Sequence, residues 1–280
     1  MADVTTPKRN WLQRLLGRGR ITIPVVRLHG VIAAEQRQGR LNIATVAPLL
    51  ERAFAIKAAP VVAIIVNSPG GSPVQSRLIA KRIRDLADEH HKPVLVFVED
   101  AAASGGYFIA VAGDEIIVDP SSIVGSIGVI MAGFGFVGAL DKLGIERRVH
   151  TAGNNKSTLD PFLPEKKSDI ERIKQFETDI HNVFIDVVKS RRGARLKGAD
   201  DVLFTGEWWT GIRGVELGLV DAIGDLHETL HTRYGPYLNL KVIEPRRNWF
   251  GLPRIGFAAG LSGDIAATIE DRAAWARFGL

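Results

Sequence analysis

Short apolar runs alternate with amphipathic stretches along most of the chain. Residues 61–66 and 94–98 are continuous runs rich in Val, Ile and Leu, the pattern of parallel strands that are buried on both faces. Residues 43–56 and 74–90 carry apolar side chains at helical spacing next to these runs. This alternation predicts right-handed strand–helix–strand units, and therefore an α/β fold built on a parallel sheet.

The same pattern predicts how the chain is divided. We expect a basic tail over residues 1–20, a single domain over residues 21–245, and a loosely attached C-terminal extension over residues 246–280. A helix is predicted to begin near Ser104 and to run to Ala112. Residues 165–192 predict one long helix whose apolar stripe is typical of a core or a subunit contact; it comprises Ile170, Ile173, Phe176, Ile180, Val183, Phe184 and Val187.

Composition then limits the chemistry and the partners. The chain has no cysteine, which excludes disulfides, thiol nucleophiles and cysteine-bound metals. Its formal net charge is +5, but the basic residues near the two ends lack the aromatic interleaving of a nucleic-acid module, so no nucleic-acid partner is expected. No stretch predicts a transmembrane helix or a secretory signal. We therefore expect a cytoplasmic protein, with peripheral membrane contact through the basic segment around residues 11–16 as an open alternative.

A lone hydroxyl in Ala-Ala-Ala-Ser-Gly-Gly-Tyr is the first candidate for catalysis. Ser104 follows a predicted strand and precedes a predicted helix, where free backbone N–H groups would stabilise a negative charge beside it. Gly105 and Gly106 would let a substrate approach the backbone closely. A serine that only caps the helix is the alternative interpretation. The Gly-x-Ser-x-Gly elbow of α/β-hydrolases is absent, since residue 102 is alanine.

Two further motifs could complete such a site. Ser68-Pro69-Gly70-Gly71 lies at the carboxyl end of a predicted buried strand, where open α/β sheets place their sites. Its amides could form an oxyanion hole, although a plain type II turn has the same sequence. Lys156 lies in an uncharged neighbourhood, residues 151–159. A lysine amine can take a serine proton only where desolvation lowers its pKa, and an exposed loop lysine is the alternative.

Histidine is the competing base. Among the seven histidines, His150 lies close to the Lys156 segment and is retained as an alternative, whereas His90 and His91 end an amphipathic helix. The sequence has no His-Glu-x-x-His motif and no Gly-x-x-x-x-Gly-Lys phosphate loop. We therefore predict no metal and no cofactor.

The order of these motifs resembles that of the signal peptide peptidase A family of serine peptidases. The resemblance covers residues 22 to 243 approximately. It is carried by residues 67–71, 103–107, 125–129 and 153–157, followed by a closing signature at residues 205–207 and 214–221.

The resemblance implies a Clp-protease/crotonase-like α/β spiral and a Ser–Lys catalytic dyad. Ser104 would be the nucleophile and Lys156 the general base. The amide of Gly105 and the Gly70–Gly71 turn would form the oxyanion hole, and Ser126 would help to hold the lysine amine. The family also implies homo-oligomers that enclose their sites and admit extended peptides. Its members typically carry an N-terminal membrane anchor, so this sequence is identified as a short form without one.

The function expected from these residues is a serine endopeptidase that cleaves unfolded or hydrophobic peptides through an acyl-enzyme. Two alternatives stay open. A crotonase-like acyl-CoA enzyme would share the fold and the oxyanion hole but would not need Ser104. A catalytically silent oligomeric scaffold at the membrane surface would depend on the basic N-terminal segment.

Overall fold

The computed structural model describes residues 20–37, 39–153, 155–245 and 261–280, so that nearly all of the predicted tail and residues 246–260 lie outside the described residues. The strands are β1 (Ile21–His29), β2 (Val31–Ile32), β3 (Arg40–Leu41), β4 (Val62–Ser68), β5 (Val94–Ala103), β6 (Glu115–Val118), β7 (Ile123–Gly125), β8 (Trp208–Thr210), β9 (Ala222–Ile223) and β10 (Leu238–Val242). The helices are α1 (Ile43–Phe54), α2 (Pro73–His90), α3 (Gly105–Ala110), α4 (Val137–Leu143), α5 (Lys167–Arg192), α6 (Asp200–Leu203), α7 (Gly211–Glu216), α8 (Leu226–Tyr234) and α9 (Leu261–Ala276).

The described strands form a mostly parallel sheet. Its main path runs β10-β1-β4-β5-β6-β9, and every pairing along this path is parallel. β7 pairs in parallel with the end of β5, and β8 closes antiparallel on β7, while β2 and β3 form a small separate sheet. The α/β class with a parallel sheet is thereby confirmed, whereas the short antiparallel strand β8 has no counterpart in the predicted elements.

The apolar runs of β4 and β5 lie at the centre of the sheet. They pair residue for residue, from Val62 with Val94 to Val66 with Val98. One face packs against α1 and α2 in the main core, and the opposite face forms a second core cluster that includes Leu230 of α8. Because side chains alternate between the two faces of a strand, burial of both faces requires continuous apolar sequence.

β5 is longer than predicted, and the helix after it is shorter. The strand continues to Ala103, where its last three residues pair with β7 after a register shift relative to β4. The following helix, α3, spans Gly105–Ala110 rather than residues 104–112. The sheet therefore carries the chain up to the residue immediately before Ser104.

The long helix α5 is confirmed, but its apolar stripe is only partly packed. Phe184 and Val188 are buried against the core. Phe176 and Val183 remain 52% and 44% exposed. The apolar stripe, predicted to contact a core or a second subunit, therefore packs on the core at Phe184 and Val188 and is exposed to solvent at Phe176 and Val183.

The end of the extension is attached at defined points. Phe278, after α9, is buried against Ala101, Ala103 and Ile123. Asp271 pairs with Arg40 at 3.0 Å. Residues 271–280 are therefore attached to the domain by a few specific contacts. No helix in the described ranges is both long and apolar enough to span a bilayer.

A largely buried ion pair fixes the end of α5 to the sheet. Arg192, whose side chain is 1% exposed, donates from its two terminal nitrogens to the Asp221 carboxylate at 2.7 and 3.0 Å. Burial raises the pKa of Asp221, but the hydrogen bonds and charge of Arg192 outweigh burial and hold the pKa below its usual value. The Tyr107 hydroxyl donates to the Leu219 carbonyl nearby, at 2.7 Å.

Replacing Asp221 by Asn should lower the free energy of unfolding by about 3 kcal/mol at pH 7, because Arg192 would stay buried without its counter-charge. Since the pKa of Asp221 is lower in the folded than in the unfolded chain, the pair stabilises the fold fully above the unfolded pKa of about 4. Its contribution is lost as the pH falls further. Urea unfolding from pH 7 down to acid pH should show the difference between the two proteins shrinking.

The matched control is Glu146→Gln, in the exposed pair between Glu146 and Arg148. Its loss should stay below about 0.5 kcal/mol, because exposed pairs contribute little. An equal loss in the two variants would contradict this account of the buried pair.

Candidate active site

Ser104 lies at a strained junction between β5 and α3. Its backbone has φ 52° and ψ −121°, in a region that non-glycine residues seldom adopt. Such a conformation persists only where the surrounding structure fixes it. Here the Ser104 N–H donates to the Gly125 carbonyl at 2.9 Å, and the Phe108 N–H donates to the Ser104 carbonyl at 3.0 Å. The side chain makes no capping hydrogen bond to α3, which argues against the helix-cap interpretation.

The glycine-rich turn over residues 69–72 packs directly against this junction. Ile32 holds the turn from the other side, since its N–H donates to the Gly70 carbonyl and its carbonyl accepts from the Ser72 N–H. A Cβ atom at Gly70 would lie 2.8 Å from both the Gly105 nitrogen and the Ser104 Cβ. With φ at 102°, this position needs glycine for its conformation as well as for space.

Two backbone amides lie close together at the Ser104 junction. A Cβ placed on Gly105 would lie 3.3 Å from the Gly71 nitrogen, so the two residues are in near contact. Within the described residues, neither the Gly71 N–H nor the Gly105 N–H donates to a protein acceptor. The Gly70 N–H, in contrast, donates to Ser68 Oγ at 3.2 Å. Gly71 and Gly105 are therefore the amides that remain available to an oxyanion.

These groups open into one cavity of about 570 Å³. Ser104, Ser126, Gly70 and Gly71 all line it. Ser126 also has a positive φ, 54°, and its N–H donates to the Glu207 carbonyl at 2.6 Å. The structure thus brings the predicted nucleophile, the predicted turn and the predicted base-positioning serine to one place.

A smaller apolar pocket of about 150 Å³ lies beside the same serine. Ser104 and Gly105 form part of its wall, which joins it to the nucleophile. The volume suits one aliphatic side chain. Its apolar lining comprises Val74, Phe108, Val129, Ile180, Val183 and Phe184.

Lys156 is not brought to the cavity in the single chain. It is exposed in a turn, where its N–H donates to the Gly153 carbonyl at 3.3 Å, and it lines neither pocket. The segment between the cavity and this lysine presents large apolar side chains to solvent; they include Ile130, Met131, Phe134, Phe136, Leu143 and Ile145. The described chain therefore assembles a serine and two amides without the predicted base.

A histidine that the sequence did not single out lines the cavity instead. His181 Nε2 lies 3.0 Å from the Ile127 carbonyl, which can only accept, so this nitrogen carries the hydrogen. His150, the alternative base, is exposed and is not part of the lining. Helical spacing could have indicated His181, because it precedes the buried Phe184 by three residues and Val188 by seven. In the described ranges, no three His, Asp or Glu side chains are grouped as metal ligands would be.

Comparison with curated proteins finds relatives over most of the chain. It is 56% identical over 272 residues, 92% of its length, to a Na(+)/H(+) antiporter NhaA of Brucella abortus, of which it covers 37%. It is 33% identical over 215 residues, 75% of its length, to Protease 4 of Haemophilus influenzae, of which it covers 34%. The chain thus spans little more than a third of either relative.

Comparison with solved structures supports the fold. A mutant of the 1510-N membrane-bound stomatin-specific protease, in complex with a substrate peptide, matches with a TM-score of 0.50 at 15% identity. The match covers 82% of this chain and 94% of the other. This likeness concerns the fold, and it agrees with the α/β spiral expected from the motifs.

The family model of peptidase family S49 matches residues 87–233, more than half of the chain. The matched range contains Ser104, Ser126 and Lys156. Together with the order of the motifs, this match shows that the chain belongs to peptidase family S49.

Proposed function

We propose that the chain is a serine endopeptidase that cleaves unfolded or hydrophobic peptides through an acyl-enzyme. The observation that carries the proposal is the junction at Ser104, where a strained serine without a capping bond lies beside the available amides of Gly71 and Gly105. Family membership and a relative named as a protease support the same class of reaction.

In the proposed mechanism, Ser104 Oγ attacks the scissile carbonyl while its proton passes to the neutral amine of Lys156. The N–H groups of Gly71 and Gly105 donate to the oxyanion, and each such donor typically stabilises the transition state by about 3 kcal/mol. Lys156 then protonates the leaving amine, which releases the first product. A water molecule, deprotonated by the same lysine, attacks the acyl-enzyme and frees Ser104.

The dyad is proposed to form between copies of the chain. Lys156 is exposed and lies outside the cavity of its own chain, while the apolar side chains over residues 130–145 have no described cover. Exposed apolar surface of this kind marks protein interfaces. A homo-oligomer that buries this segment could bring Lys156 of one copy to Ser104 of the next, with Ser126 beside the amine.

The apolar pocket supplies the substrate preference. Because Ser104 and Gly105 form part of its wall, it is placed to hold the substrate side chain next to the scissile bond. Its apolar lining and its volume of about 150 Å³ favour an apolar side chain at this position. Membrane contact through residues 1–20 stays a prediction, since nearly all of that segment lies outside the described residues.

Ser104→Ala and Lys156→Ala should each reduce peptide cleavage by about 10⁴-fold, because the nucleophile and the base act as a unit. Cleavage of a fluorogenic peptide and of an unfolded protein measures this. A fluorophosphonate probe should label the native chain and lose its target in Ser104→Ala. Lys57→Ala, at an exposed lysine in the turn before β4, is the matched control and should retain full activity; equal losses at Lys57 and Lys156 would argue against the dyad.

Mixing the two inactive variants tests whether the dyad forms between copies. In a refolded equimolar mixture, half of the copies keep Ser104 and half of their neighbours keep Lys156, so about a quarter of the sites regain both groups. Peptide cleavage should recover to that fraction of the native rate. A mixture as inactive as its components would place both groups in one chain.

Val183→Trp should fill the apolar pocket. We expect kcat/KM to fall by about tenfold for a peptide with leucine at the cleavage site, while a peptide with alanine there changes less, because only the larger side chain needs the volume. The comparison is a pair of fluorogenic peptides that differ in this one residue. Val242→Trp, at an exposed valine of β10 remote from the pocket, should leave both rates unchanged. Equal losses for the two peptides would mean that the pocket does not select the side chain.

A further inference from the structure

The last described segment of the chain supplies part of the wall of the catalytic cavity. Ala274 of α9 and Arg277 just after it line the same cavity as Ser104. Neither residue belongs to a motif that the sequence analysis identified, nor to the range matched by the family model. The segment therefore needs an explanation of its own.

Two aromatic side chains anchor residues 271–280 to the domain. The Trp275 ring stacks on His29, at the end of β1, with centroids 6.0 Å apart and an interplanar angle of 26°. The Phe278 side chain, 8% exposed, enters a depression that we call the aromatic groove. The groove is formed by Ala101, Ala103, Ile123 and Trp208, and the Trp208 ring meets Phe278 edge-on at 6.0 Å.

Residues of the aromatic groove are neighbours in sequence of residues at the catalytic site. Ala103 immediately precedes Ser104, and Ile123 lies on the strand that leads to Ser126. Trp275 lies between two attachment points in the sequence. Phe278 follows it, and Asp271, which pairs with Arg40, precedes it. Ala274 and Arg277 line the catalytic cavity, so an extended peptide that passed beyond them from Ser104 would meet the space that Phe278 now fills.

The segment has the composition of the proposed substrates and the anchoring of a displaceable element. Residues 273–280 read Ala-Ala-Trp-Ala-Arg-Phe-Gly-Leu, and all of them are apolar or glycine apart from one arginine. Most of their side chains are exposed, so that the attachment depends on the few contacts described above. Elements with few buried contacts open at low free-energy cost and exchange with competing ligands.

We propose that the aromatic groove is a peptide-binding subsite, and that residues 271–280 occupy it in competition with substrate. The ligand is an extended peptide that carries an aromatic or large apolar side chain in place of Phe278. This inference deepens the proposed function, since the groove would serve the same Ser104. If the groove is open for a tenth of the time, the apparent affinity for the peptide is about tenfold weaker than the intrinsic one.

Binding can be measured without turnover in the full-length Ser104→Ala protein. The probe is a fluorescein-labelled peptide with the sequence of residues 269–280, followed by fluorescence anisotropy. Adding Trp275→Ala and Phe278→Ala should loosen the segment and strengthen peptide binding by about tenfold. Leu280→Ala removes an exposed apolar side chain from the same segment and should leave the affinity unchanged. Equal affinity with and without the two aromatic residues, or binding to neither protein, would overturn the proposal.

A second measurement covers the case in which the double variant does not fold. Saturating peptide, added to the Ser104→Ala protein with its segment intact, should speed amide hydrogen exchange over residues 271–280. Exchange over residues 101–103 should stay slow, because the peptide replaces the segment there. No acceleration in the segment under saturating peptide would overturn the competition.

Kinetics separate this inference from the proposed function. With Ser104 intact, the variant lacking Trp275 and Phe278 should show a KM lowered by about tenfold and an unchanged kcat. A fall in kcat/KM would make the segment a required wall and overturn the competition, while leaving the peptidase in place. If no chain that keeps Ser104 cleaves peptides, the proposed peptidase function is wrong. The binding measurement would still test whether the aromatic groove binds peptide.

Discussion

The close approach of two backbone segments governs this structure. The turn at Gly70 and Gly71 lies so near the junction at Ser104 and Gly105 that no side chain fits between them. That approach brings the amides of Gly71 and Gly105 close together, and neither donates to an acceptor in the described residues, while the Ser104 hydroxyl makes no bond to the helix cap. A site of this kind is preorganised, because its dipoles are fixed by the fold before any substrate arrives.

The parallel sheet makes the approach possible. β4 and β5 pair along their apolar cores and then shift register, after which β5 continues on β7 instead of β6. Both strands therefore deliver their following loops to the same edge, the turn from β4 and the junction from β5. Positive φ at Ser104 and Ser126 is tolerated because each residue is held by backbone hydrogen bonds to a neighbouring segment.

The sequence predicted most of this framework. Continuous apolar runs identified the centres of β4 and β5, since both faces of these strands are covered. The end of β5 was missed because Glu99 and Asp100 interrupt the run; Glu99 pairs with Arg27, and Asp100 accepts from Asn67, contacts that depend on the neighbouring strands. His181 and Phe278 reach the site from distant elements, and their placement depends on long-range packing that local patterns do not encode. The assignment of Lys156 to Ser104 stays a prediction.

The exposed apolar side chains over residues 130–145 have a consequence for when the enzyme becomes active. If the base must arrive from a neighbour, a newly synthesised copy holds a nucleophile that nothing yet activates. Peptide cleavage would then begin only when enough copies of the chain are present to associate around the site. Self-association would then control when the nucleophile becomes active.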